Sequence, residues 1–161
     1  MNCKFNFPAI FLIGPTASGK TELTIKLAKE WKTEIISADA RQFYKELNIG
    51  VAKPSNKELN AVPHHFIGHI SIENKYSVGQ YEKDVLKKIT ELFKKHNILF
   101  VCGGSGLYIQ AICDGLNEFP EINHEVKIQL KHDLIKKGLD HLIIELKKND
   151  IETYHKIDKK N

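Results

Sequence analysis

The chain is nearly without arginine: of 24 basic residues, 23 are lysine and only Arg41 is arginine. Arginine is the better bidentate partner of phosphate. Its scarcity excludes an arginine-rich lid over a phosphate group in this stretch and gives the position of Arg41 weight. Cysteines are also few. Cys3, Cys102 and Cys113 are odd in number, and their spacing excludes a zinc site or a disulfide scaffold. They are expected to be reduced, mostly buried thiols in a reducing compartment, the cytoplasm by default. Long apolar runs are absent. "FPAIFLIGPT" (7–16) is too short to span a membrane and runs straight into a glycine-containing loop, so it reads as a core strand and not as a signal peptide. There are no repeats and no low-complexity linker.

What is present suits a folded domain. The 161 residues are 42% apolar, enough for a real core. The net charge of +4 is compatible with a phosphate-rich partner but is equally usual for an ordinary protein. "AIFLI" (9–13), "EIISA" (34–38) and "ILFVCGG" (98–104) read as buried parallel strands. Between them, Leu23, Ile25, Leu27, Ala28 and Trp31 form a helical stripe over about 20–31. Val78, Tyr81, Val85, Leu86, Ile89, Leu92 and Phe93 form another over 77–96, with Ser77 as N-cap. The stretches "NIGVAKPS" (48–55) and "VPHHFIGH" (62–69) read as loops with short helical turns. A short helix is expected over 106–113, and from Asn123 the pattern is helical only, over 123–137, 139–148 and 150–156. Strands alternating with helices predict an α/β fold: a parallel sheet covered on both faces.

Residues 14–21 read "GPTASGKT". Gly14, Gly19, Lys20 and Thr21 satisfy G-x-x-x-x-G-K-[ST], with a strand before and a helix after. The glycines let successive N–H groups turn inward onto an anion, and the helix dipole adds to them. Lys20 would reach the outer phosphate and Thr21 would hold Mg²⁺. The strand "ILFVCGG" ends without the acid that an ordinary P-loop ATPase uses for its metal. The acid just past a strand is Asp39, at the strand ends where α/β sheets bind ligands. It is a metal ligand, a proton acceptor or a helix N-cap. Arg41, two residues on, is a clamp for phosphate or a nucleic-acid backbone, or half of a structural salt bridge.

"GPTASGKT", "ISADARQFYKELNIGVAKPS", "VPHHFIGH", "YSVGQY" and "VCGGSGLYIQAICDGL" follow in that order. Together they resemble the tRNA dimethylallyltransferase (tRNA isopentenyltransferase) family, from about residue 8 to the end. The resemblance implies a P-loop NTPase-like sheet over 1–120 and a helical segment over 121–161 that begins a tRNA-binding insertion. It implies that Gly14, Pro15, Thr16, Ala17, Ser18, Gly19, Lys20 and Thr21 hold the diphosphate of dimethylallyl diphosphate, with Mg²⁺ on Thr21. Asp39 would be the general base for the exocyclic amine of the adenosine 3′ of the anticodon, with Thr16 beside the reacting groups. Asp39, Ala40, Arg41, Gln42, Ser105 and Lys127 would touch the tRNA anticodon stem-loop. Ala40 replaces the family's usual serine, Ser105 its threonine and Lys127 its arginine, which softens those contacts. Members of the family run to about twice this length, and "YHKIDKKN" (154–161) resembles the segment before an Arg-rich, RNA-contacting motif. The chain is therefore expected to be an N-terminal portion. The remaining half would lie in a longer chain, a monomer when complete, or in a partner chain. A nucleoside or small-molecule kinase and a non-catalytic remnant are the alternatives.

Other residues carry plainer readings. His64 and His65 lack neighbours at metal-ligand spacing and are expected to be structural or to lie near tRNA. Tyr44, Tyr76, Tyr81 and Tyr108 read as core packing ahead of base stacking. Lys87, Lys88, Lys94 and Lys95 read as a solvated helix face, as do Lys136, Lys137, Lys147 and Lys148.

Overall fold

The computed structural model describes residues 8–116 and 123–159. Cys3 and residues 117–122, with the expected boundary at 120/121, lie outside them. The chain forms two compact units, Met1–Asn117 and Glu118–Asn161.

The first unit is built on four parallel strands: β1 (Ala9–Ile13), β2 (Ile35–Ser37), β3 (His64–His65) and β4 (Leu99–Gly103). Their order is β1-β4-β2-β3. Ile10 lies opposite Phe100 in one pairing and Ile36 opposite Val101 in the next. The two central strands are apolar on both faces because both faces are covered. On one side Ile35, Ile98 and Phe100 pack with Ile25 and Ala28 of α1 (Lys20–Glu30). On the other, Ile36, Leu99 and Val101 pack with Tyr81, Val85 and Ile89 of α3 (Val78–Leu92) and with Ile109 and Ile112 of α4 (Gly106–Cys113). The α/β reading with helices on both faces holds.

α3 starts as its sequence indicates: the Ser77 hydroxyl accepts the Gln80 N–H at 3.1 Å, satisfying one orphan donor. It stops at Leu92, before the Lys94–His96 turn. The short α2 (Asn56–Ala61) is closed by a reciprocal Ser55–Glu58 capping box. β3 occupies what reads in sequence as loop, because His64 and His65 pair with Ile35 and Ile36.

Two expectations are corrected. In α1, Leu23 and Trp31 are 51% and 58% exposed, and the buried face is Thr24, Ile25 and Ala28. Thr24 takes the inward position because its hydroxyl donates to the Lys20 carbonyl (2.6 Å) and so carries no unsatisfied group into the core. The thiols are not mostly buried: Cys113, at the end of α4, is exposed and Cys102 is half-buried. The tyrosines do pack with the core: Tyr81 is fully buried, and Tyr44, Tyr76 and Tyr108 lie against the same cluster. Lys87, Lys94, Lys95, Lys136, Lys137, Lys147 and Lys148 are exposed, and Lys88 pairs with Glu91 on the surface.

The second unit holds α5 (His124–Lys137), α6 (Leu139–Asn149) and α7 (Ile151–Lys156). Asn123 caps α5 through the Glu125 N–H, and Asp150 caps α7 through the Thr153 N–H. Among the described residues, no helix is long and apolar enough to cross a membrane.

Candidate active site

The loop from Gly14 to Thr21 leaves the end of β1 and closes into α1. Its curl needs left-handed backbone at two points, Ala17 (φ 63°) and Gly19 (φ 81°). Glycine adopts this without strain, whereas alanine does so at some cost. Strain of this kind gathers at ligand-binding loops. The Lys20 ammonium folds back to the Pro15 carbonyl (2.5 Å) and toward the Ser18 hydroxyl (3.4 Å). The first-turn N–H groups of α1 have no carbonyl four residues back within the helix and point out of its N-terminus.

Asp39 is mounted on the strand ends by backbone bonds. Ala38 N–H donates to Cys102 O (2.8 Å) and Ser105 N–H to Ala38 O (3.2 Å). This close approach is possible because residue 103 is glycine: a Cβ there would lie 2.2 Å from the Ala38 oxygen. The Tyr81 hydroxyl donates to Ser37 O from below (2.9 Å). The half-buried Asp39 carboxylate accepts the Arg41 N–H through Oδ1 (3.0 Å), and its carbonyl accepts the Gln42 N–H. The capping role is thus real, as an Asx turn and not a helix start.

The neighbouring candidates divide. Arg41 is exposed and forms no ion pair with any described residue, so the salt-bridge alternative is not realised. The Ser105 hydroxyl accepts the Ala40 N–H (3.0 Å). Gln42 is buried; its amide donates to the Ala52 carbonyl (3.0 Å) and its oxygen faces the Ser37 hydroxyl (3.2 Å). It works as a strut under the 44–53 loop. Lys127 lies exposed on α5, in the second unit.

Two clefts flank this mount. The first, about 240 Å³, is lined by residues 16–21 together with Asp39, Gln42 and an apolar wall that includes Ile35 and Ile67. The other, about 290 Å³, is lined by Gly14, Pro15, Ala40, Arg41 and Ser105. Thr16 and Asp39 are the residues that line both.

Two features escaped sequence reasoning. His64 lines the first cleft; its Nδ1 bonds the Val62 carbonyl (2.7 Å), Nε2 is buried without a hydrogen bond, and burial pushes its pKa down. Lys53 closes the 44–53 loop by donating to Tyr44 O (2.5 Å), Asn48 Oδ1 (3.1 Å) and Lys45 O (3.2 Å). Neither follows from spacing, because each depends on a fold-level contact. His65 is structural: with His96 it flanks Glu34, at 2.6 and 3.1 Å. Burial opposes ionisation of Glu34, but the His65 and His96 hydrogen bonds outweigh it and hold its pKa below the ordinary value. No described group of three His, Cys, Asp or Glu side chains could hold a metal. The Thr21 hydroxyl in the first cleft fits a cation held mostly by phosphate oxygens, the usual habit of Mg²⁺.

The profile of the IPP transferase family matches residues 42–161, three-quarters of the chain. The chain belongs to the IPP transferase family. It is 51% identical over 152 residues to a tRNA dimethylallyltransferase of Christiangramia forsetii, covering 94% of this chain and 50% of that protein. Among solved structures it is similar to the full-length tRNA isopentenylpyrophosphate transferase of Bacillus halodurans (30% identity, TM-score 0.66, 95% and 51% of the two chains). It is also similar to the tRNA delta(2)-isopentenylpyrophosphate transferase of Staphylococcus epidermidis (35%, TM-score 0.62, 96% and 51%). The chain spans about half the length of these IPP transferase relatives.

Proposed function

We propose that the chain carries the diphosphate-binding and base-bearing half of a tRNA prenyltransferase. The observation that supports this most is the pair of clefts meeting at Thr16 and Asp39. Dimethylallyl diphosphate occupies the first cleft, its phosphates on the 14–21 backbone and Lys20. The tRNA anticodon stem-loop approaches the other, where Arg41 meets a backbone phosphate beside Ala40 and Ser105; Gln42 supports that segment from beneath, and Lys127, on the second unit, is a separate RNA contact. The adenosine 3′ of the anticodon leaves its stack to reach Asp39, a modest cost in a loop.

The exocyclic nitrogen then attacks C1 of the dimethylallyl group. The C–O bond to the diphosphate breaks, and the proton displaced from nitrogen passes to the Asp39 carboxylate. Thr16 sits where the two substrates meet. The loop amides and Lys20 are aimed at the oxygens on which charge grows as the bond breaks, the usual place for electrostatic stabilisation. Thr21 would hold Mg²⁺, which would supply charge neutralisation to the leaving diphosphate. A tRNA substrate sets the reaction in the cytoplasm.

Titration calorimetry with dimethylallyl diphosphate and ATP, each with Mg²⁺, tests the ligand class. Tighter binding of the prenyl diphosphate is expected, and tighter binding of ATP would replace this reading with a kinase. In a tRNA prenylation assay of the chain with its family's C-terminal half, Asp39→Ala is expected to lower the rate by about 10²-fold or more while diphosphate binding persists. Undiminished transfer by Asp39→Ala would remove Asp39 from the chemistry.

A further inference from the structure

The segment from Tyr44 to Lys53 leaves the Asp39–Gln42 turn, runs outward and returns, and both of its limbs are fastened. On the outgoing limb the Lys45 N–H donates to the Ile70 carbonyl (2.8 Å), and the Glu46 carboxylate accepts the Ile72 N–H (2.9 Å). On the returning limb Lys53 donates to Tyr44 and Asn48, and the Gln42 amide donates to the Ala52 carbonyl. Val51 turns inward and is 7% exposed. Left-handed backbone at Gly50 (φ 73°) and Ala52 (φ 45°) brackets that inward turn, and alanine adopts it at a cost.

The tip of this fastened loop is Ile49, which is 96% exposed; no large apolar side chain among the described residues is more so. A single exposed isoleucine is by itself ordinary. Here slack does not account for it, because the chain is bolted on both sides of the tip and isoleucine is stiff at χ1. The next two residues, Gly50 and Val51, line the same cleft as Arg41 and Ser105. Ile49 therefore stands at the rim of the cleft assigned above to RNA.

The chemistry of the tip says what it meets. Asn48, Ile49, Gly50 and Val51 carry no charge, and the Lys53 ammonium is spent on bonds within the loop. A phosphate gains nothing from such a tip. What an RNA loop offers an aliphatic side chain is the face of a base, and that face is bare only where a neighbour has been withdrawn. The reaction proposed above withdraws one, because the target adenosine leaves its stack to reach Asp39. Apolar side chains, isoleucine among them, are recurrent wedges at opened base steps.

We propose that Ile49 is an apolar wedge that packs on the base next to the extruded adenosine and keeps the opened step from closing. Arg41 takes a backbone phosphate at the same cleft, so one residue fixes the strand and the other fills the gap in the stack. Fastening the loop beforehand means that the wedge needs no ordering when RNA arrives. This inference rests on the tRNA prenyltransferase reading and adds a positioning residue to it.

The test is binding of a synthetic anticodon stem-loop RNA to the chain across a salt series. A fluorescent adenine analogue is placed on each side of the target adenosine in turn. Binding should raise the emission of one of these neighbours, the sign of a base that has lost its stacking partner. Ile49→Ser should weaken binding about tenfold and remove that rise, with the salt slope unchanged because no phosphate contact is lost. Ile49→Met, still apolar, should restore affinity to within about threefold of the unaltered chain. Arg41→Gln should instead reduce the salt slope by about one and keep the rise. As Ile49 is exposed, neither of its variants should move the urea midpoint. Ile49→Ser that binds as tightly as the unaltered chain, or that lowers the salt slope as Arg41→Gln does, overturns the wedge, as does a Met variant as weak as the Ser one. In those cases the Arg41 effect still stands, and with it the RNA reading. A stem-loop that the unaltered chain does not bind overturns both. Self-association of the chain that Ile49→Ser abolishes would assign the side chain to a second copy and overturn the wedge.

Discussion

Substituting Gly103 by alanine tests how the candidate base is held. The added Cβ would lie 2.2 Å from the Ala38 oxygen, 2.5 Å from its carbonyl carbon and 2.9 Å from its Cα. All three are backbone atoms, so no side chain can swing away. Relief requires β2 and β4 to part at their C-terminal ends. That strains the Ala38 N–H bond to Cys102 and the Ser105 N–H bond to Ala38. Overpacking costs about 1–3 kcal/mol, and two weakened hydrogen bonds add about 1 kcal/mol each, for a total of about 3–5 kcal/mol. That is a large share of a small domain's stability. Urea denaturation followed by tryptophan emission reads it. Trp31, the one tryptophan, sits at the end of α1, so the signal reports this unit. Gly106→Ala is the control three residues on. Nothing lies within 4 Å of its Cβ position, and at the start of α4 alanine should be neutral or stabilising by up to about 1 kcal/mol. A loss below about 1 kcal/mol for Gly103→Ala, or equal effects at both positions, would refute the tight mount inferred for Asp39.

Glu34 makes stability depend on acid. Its native pKa is lowered from 4.5, so its contribution is complete above 4.5 and is lost as pH falls through the lowered value. Glu34→Gln should flatten this part of the pH profile of the urea midpoint, and a parallel profile would show that the His65 and His96 contacts do not hold. Lys53→Met removes the donor to Tyr44, Lys45 and Asn48. Amides of residues 48–53 should then exchange faster, while those of α3 stay unchanged; an unaltered loop would place its order elsewhere, with Gln42 as the remaining strut.

How far the sequence foretold this molecule depended on the range of the interactions involved. The 14–21 loop, α3 and β4 are written in local spacing: a glycine–lysine–threonine pattern, a 3.6-residue stripe behind Ser77, and an apolar run ending in glycines. β3 is not, because two histidines become a strand only by pairing with Ile35 and Ile36. The helix α2 that the Ser55–Glu58 capping box starts is six residues long and buries none of them, so no periodic signal marked it in the sequence. Leu23 and Trp31 joined the helical stripe by hydropathy, whereas Thr24 won the buried position through a hydrogen bond that hydropathy does not count. At the site, the place of Asp39 just past a strand was readable from the sequence, but the burial of Gln42 and the closure by Lys53 depend on where a loop returns.

Asp39 and Arg41 also differ in when their freedom is lost. The Asp39 carboxylate is already committed to the Arg41 N–H and its backbone to the sheet, so its conformational entropy is surrendered when the chain folds. The Arg41 side chain, exposed and without an ion pair among the described residues, keeps its rotamers until a partner arrives. Ordering it then costs up to about 2 kcal/mol of the gross binding energy. A carboxylate two residues away thus meets every partner in one place, while the guanidinium adapts to each.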